Sequence, residues 1–189
     1  MAFFAAALAF IGDEDYFAQY DLKRPVHIQE GVYYILNFEP KSGTFHGNFI
    51  TQFGRTHVYM QSPKPKHAWK LEYPDIKENP DAFVLKITVA PDNQEPTYVP
   101  QLYLAVDKKG SVSLVDSAQE ATLLMAHFPN KQAYREGLVS LRTCHAPYRH
   151  LHRKHSKKHA VGSSSFRARR NVWQFLQASW KKVPGSWTS

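Results

Sequence analysis

The residues with the most chemistry to offer lie between Arg149 and Arg170. The stretch RHLHRKHSKKHAVGSSSFRARR holds eight Lys or Arg, four His and no acid. Guanidinium forks grip carboxylate, sulfate or phosphate oxygens in pairs. Arg149, Arg153, Lys154, Lys157, Lys158, Arg167, Arg169 and Arg170 are therefore the candidate contacts for an anionic partner. The alternative is a solvated insertion whose charges meet only water. His150 and His152 share a strand face, with His155 and His159 nearby, but the flanking Lys and Arg repel a cation and neither Cys nor carboxylate is close. No metal or other cofactor is expected. If exposed, these histidines add positive charge as the pH falls below about 6.5.

Cys144-His145 raises the question of a thiol nucleophile. No orienting partner is near in sequence, and Cys144 ends a strand-like run, so it reads as a plain half-buried cysteine. The nine glycines are dispersed, which excludes a phosphate loop of the Gly-rich type. The acids gather in turns such as DEDY and PDIKENPD and form no paired-carboxylate setting. The chain is not expected to be an enzyme or to take a small-molecule substrate.

The elements that position the basic stretch follow from the rest of the chain. Of 189 residues, 43% are hydrophobic and 14% aromatic, enough for an ordinary core. Residues 137–189 carry 11 Lys and Arg and no acid, whereas residues 1–136 carry 13 basic and 16 acidic side chains. This asymmetry points to an anionic partner at the C-terminal end: an acidic filament, a polyanionic glycan, nucleic acid or a membrane surface. The single cysteine, Cys144, excludes an intrachain disulfide and favours a reducing compartment. The opening MAFFAAALAFIG is too short to span a bilayer and lacks the basic start of a signal peptide. It reads as a short element packing on the domain, so residues 1–30 are expected to form an N-terminal extension, residues 31–180 the domain and residues 181–189 a tail. Trp180 is placed over the mouth of the domain and Trp187 in the tail.

Beyond residue 30, short apolar runs alternate with Gly, Pro, Asn and Asp in a strand-turn rhythm. The runs fall into three similar units. The first has VYYILNF (32–38), GNFITQFG (47–54), THVYMQS (56–62) and HAWKLEY (67–73). The second has AFVLKITV (82–89), QLYLAVDKKG (101–110), SVSLVDS (111–117) and TLLMAHF (122–128). The third has GLVSLRT (137–143), YRHLHRK (148–154), HAVGSS (159–164) and NVWQFLQ (171–177). A bulky apolar residue opens each fourth strand: Trp69, Leu123 and Trp173. Twelve strands in three four-stranded units predict an all-β fold, the β-trefoil, in which a barrel capped by hairpins buries the apolar faces and removes open edges. A β-sandwich is the competing arrangement, but it gives no reason for the fourth strands to resemble one another.

In unit two, Asp107-Lys108-Lys109-Gly110 predicts a hairpin turn with Gly110 at positive φ. Tyr103 and Ala105, with Val112 and Leu114 opposite, are expected to supply the alternating faces. The block YLAVDKKGSV resembles the fascin family, whose trefoil units carry YLA-x-D-x-x-G-x-V followed by a strand ending near Ala-His, here LMAHF. SPKPKHAWKLEYP (62–74), LVSLRTCHAPYRHLHRK and NVWQF are similar to further fascin segments. The resemblance covers roughly residues 45–180, and fibroblast growth factors and interleukin-type cytokines share the fold more distantly.

The resemblance implies a cytoplasmic module that binds actin filaments. It also implies that Ser62, Lys64 and Lys66 correspond to the family's regulated segment, in which a phosphorylatable serine sits beside lysines facing the filament. A phosphoserine adds close to two negative charges and would cancel that patch. Pro63 and Pro65 interrupt the lysine run here, and the alternative is a solvated loop tip. One trefoil can bind a filament but does not by itself bundle filaments. Two other readings stay open: a secreted trefoil that binds sulfated glycans through the same basic face, and a nuclear trefoil that binds RNA.

Overall fold

The computed structural model describes residues 24–39, 44–51, 58–61, 67–89, 101–153, 160–163 and 172–178. The chain is all-β, and each of the twelve expected runs overlaps a strand. In order these are β1 (Gly31–Glu39), β2 (Thr44–Thr51), β3 (Val58–Gln61), β4 (His67–Glu72), β5 (Val84–Val89), β6 (Tyr103–Val106), β7 (Val112–Val115) and β8 (Leu124–His127). A short helix α1 (Lys131–Arg135) follows, then β9 (Ser140–Thr143), β10 (His150–Arg153), β11 (Ala160–Ser163) and β12 (Val172–Gln177).

Eight strands form one antiparallel sheet in the order β3-β2-β1-β4-β5-β6-β7, with β12 also paired to β1. The other four form a second sheet, β11-β10-β9-β8. Two single-residue antiparallel bridges join the sheets, Phe83 to Leu124 and Val139 to Trp173. Each is closed by reciprocal N–H···O bonds of 2.8 and 2.9 Å.

Strand alternation sorts the side chains into an inner core and an outer layer. Tyr33, Ile35, Trp69, Leu71, Phe83, Leu85, Leu124, Ala126, Leu141, Trp173 and Phe175 all belong to one buried cluster. The Phe175 ring meets Tyr33 at 5.7 Å and Phe83 at 6.3 Å, both edge to face, so one ring from unit three touches units one and two. The alternate residues of β1, Tyr34 and Leu36, are buried against Ala68 in a second cluster on the opposite face. Burial on both faces is why VYYIL reads as an unbroken apolar run.

Two expected strand phases are corrected. At the start of β8 Leu124 is fully buried and pairs with Phe83, whereas Leu123, the expected anchor, is only half-buried. In β6 the core side chains are Leu104 and Val106, opposite Leu114 and Val112, in place of the expected Tyr103 and Ala105, and Tyr103 turns outward beneath the Lys86 ammonium. Each error is a one-residue slip, which moves a side chain to the opposite face.

Helix α1 was not expected from periodicity. Asn130 caps it by accepting the Ala133 N–H at 2.8 Å, and Gly137, at φ 66°, closes it. The residues just before β1 are fixed to the body. Val26 bridges Ala126. The Tyr73 hydroxyl accepts from the Ile28 N–H at 3.0 Å and donates to the Ile28 carbonyl at 2.7 Å.

Candidate anion-binding surface

The turn between β6 and β7 is built around Asp107. Its carboxylate accepts the backbone N–H groups of Lys109 and Ser111, each at 2.8 Å. Gly110 adopts φ 89°, the left-handed conformation expected of it. The N–H of Ser111, followed by that of Lys109, holds the Asp107 carboxyl below its usual range. This tight loop presents Lys108 and Lys109 to solvent side by side.

Arg149 ties unit three to this turn. Its backbone pairs with Thr143: Thr143 N–H donates to the Arg149 carbonyl at 2.8 Å, and Arg149 N–H donates to Thr143 Oγ1 at 2.9 Å. The Arg149 guanidinium then donates to the Lys108 carbonyl. Arg149 is half-buried, so it serves as a strut between units as well as a cation. The contact places Arg149 beside Lys108 and Lys109.

A second group lies on the opposite face of β9 and β10. Arg142 is the register partner of His150, and opposed residues share a face. The Arg142 guanidinium carbon sits 5.0 Å from the centroid of the Tyr148 ring. Burial lowers the pKa of His150, and the nearby Arg142 lowers it further. The expectation that this histidine adds charge below about pH 6.5 assumed exposure; half-buried beside Arg142, it stays neutral to lower pH. Burial likewise pushes the Cys144 thiol up to about 11, against a smaller opposing pull from Arg142. Cys144 is thus a half-buried, protonated thiol.

Among the sequence-derived candidates, only Arg149 has its side chain within the described residues. Arg153 stands in β10 opposite Ala160, the last of four register pairs that begin with His150 and Ser163. These pairs make β10 and β11 an antiparallel hairpin. Lys154, Lys157, Lys158, Arg167, Arg169 and Arg170 lie outside the described residues, as do Ser62, Lys64, Lys66, Trp180 and Trp187. Sequence reasoning passed over Lys108, Lys109, Arg142 and Tyr148. The two lysines were legible as the tip of an Asp-x-x-Gly turn, whereas Arg142 required knowledge of which face of β9 is outward.

Lys70 lies 2.6 Å from the Glu72 carboxylate, which raises the pKa of the lysine. Neither Arg142 nor Arg149 has a carboxylate partner among the described residues, and the Nε of each is buried without an acceptor there. Among the described residues no group of three or more His, Cys, Asp or Glu is arranged to hold a metal ion, and no helix is long and apolar enough to cross a membrane. No family model, curated protein or solved structure matches the chain.

Proposed function

We propose that the chain is a non-enzymatic β-trefoil, similar to a single fascin unit, that binds an acidic protein filament through the basic side of unit three. The pairing order supports the trefoil. From β1 the partners run through β4 and β5, across the Phe83–Leu124 bridge to β8 and β9, and across the Val139–Trp173 bridge to β12, which returns to β1. The remaining strands form the hairpins β2–β3, β6–β7 and β10–β11, and β3, β7 and β11 approach one another pairwise. The register repeats from unit to unit: Tyr33 opposes Trp69 as Phe83 opposes Leu124 and Val139 opposes Trp173. Each pair joins the first and fourth strand segments of its unit. A six-strand circuit with three hairpins is the pairing that a β-trefoil requires, a fold whose barrel buries such faces without open edges.

One observation carries the binding reading. Past Glu136 the chain has 11 Lys and Arg and no acid, and the Arg149–Lys108 contact adds the unit-two lysines to that charge. A like-signed cluster of this density repels itself unless an anion is near. Actin is the partner that the fascin resemblance implies, in a cytoplasmic setting, with Ser62 as the phosphorylated residue that would weaken the contact through Lys64 and Lys66. A single trefoil presents one such side, so the reading is filament binding, and bundling requires a dimer or a second contact from the tail.

Charge reversal tests it. Replacing Arg153, Lys154, Lys157 and Lys158 with Glu is expected to abolish filament binding while circular dichroism and the unfolding midpoint remain those of a folded domain. A folded variant that still binds like the parent protein would remove the basic side from the account. Binding transferred to a sulfated glycan, with none to filaments, would favour the secreted reading.

A further inference from the structure

Within the filament-binding reading, on which this inference rests, we propose that Arg142 and Tyr148 form the anchor for the acidic partner, one of whose carboxylates seats on the Arg142 guanidinium beside the Tyr148 ring. The site lies on the outer face of β9 and β10, on residues that the charge count of the sequence does not single out.

Four observations converge on this pair. First, Tyr148 is 54% exposed and is the one large hydrophobic side chain exposed among the described residues, so its ring lies open at the surface. Second, Arg142 lies over that ring at 5.0 Å, a cation–π contact that restrains the guanidinium and lowers the entropy lost when a ligand binds it. Third, Arg142 is half-buried, its Nε is sealed from solvent, and it meets no carboxylate among the described residues. A partly desolvated cation without a counter-charge is costly, and a ligand carboxylate relieves that cost. Fourth, three groups beside it carry no charge at neutral pH: the Cys144 thiol is protonated, His150 is neutral and Met125 lies opposite on β8.

The surroundings also select the kind of anion. A single guanidinium set among neutral groups and an open aromatic ring does not match a sulfated polymer, which needs an array of cations. It matches one acidic side chain flanked by apolar atoms on a protein surface. Tyr and Arg are among the side chains that dominate such interfaces. The contact also divides the work between two regions. The charge run 154–170 steers a partner at long range and is weakened by salt, whereas the half-buried Arg142 is screened much less.

The test is the affinity of the full chain for actin filaments at physiological salt, measured for the parent protein, Arg142→Gln, Tyr148→Ala and Tyr148→Phe. Arg142→Gln and Tyr148→Ala are each expected to weaken binding about tenfold, and Tyr148→Phe, which keeps the ring, to weaken it far less. Thermal unfolding checks that each variant is folded. If the parent protein binds and both disruptive variants, folded, bind equally well, the anchor is wrong and the filament reading stands. If the parent protein fails to bind, both are wrong.

Discussion

The indole Nε1–H of Trp173 donates to the backbone carbonyl of Leu151 at 3.1 Å, with both residues sealed from solvent. Trp173 also pairs through its backbone with Val139, so one residue of β12 holds both β9 and the first strand of the basic hairpin. The mounting of the candidate surface therefore depends on a core hydrogen bond. Trp173→Phe removes the donor and leaves the Leu151 carbonyl buried without this partner, which is expected to cost about 1–3 kcal/mol. A urea midpoint equal to that of the parent protein would show that the bond contributes little.

The turn that Arg149 grips needs Gly110. At φ 89° a Cβ is strained, so Gly110→Ala is expected to destabilise the domain by roughly 1–2 kcal/mol. The same change should loosen the Lys108 carbonyl that Arg149 holds. Thermal unfolding of the variant measures the first effect, and hydrogen exchange at Ser111 N–H reads the second. An unchanged melting temperature would mean that the turn relaxes without cost.

Cys144 is expected to be a slow thiol. Raised from 9.0 to about 11, its pKa predicts alkylation at neutral pH roughly 100-fold slower than that of the unfolded chain, because the thiolate is the reactive form. Timed reaction with iodoacetamide, with and without urea, decides this. A fast native rate would mean that the thiolate is stabilised.

Stability should fall in mild acid because of His150. Its folded pKa lies below the ordinary histidine value of 6.5, so the unfolded chain takes up the proton first. This contribution is absent above that value and becomes a loss as the pH falls from 6.5 toward the lowered folded pKa. Urea midpoints at several pH values, compared between the parent protein and His150→Gln, isolate it from the other histidines. Parallel curves for the two proteins would contradict the assignment.

The strand content was legible because apolar alternation and turn residues recur in every unit. The phase within two strands was not. In TLLMAHF and QLYLAV adjacent residues are both apolar, so alternation offers no polar neighbour to say which side chain faces in, and Leu123 stood in for Leu124. Helix α1 has five residues, too few for a periodic signal, and only Asn130 and Gly137 mark its ends. The basic character of unit three could be counted directly. The Arg142–Tyr148 stack could not, because it depends on the outward face of β9 and on the path of the loop into β10. Counting charge drew the eye to residues 149–170 and past a lone arginine beside a tyrosine.

The central claim is filament binding by a single basic module. Co-sedimentation of the purified chain with actin filaments, at low and at physiological salt and beside a charge-matched basic protein, tests it most directly. Saturable pelleting that persists at physiological salt and exceeds the control is the predicted result. Pelleting no greater than the control at either salt concentration would contradict it.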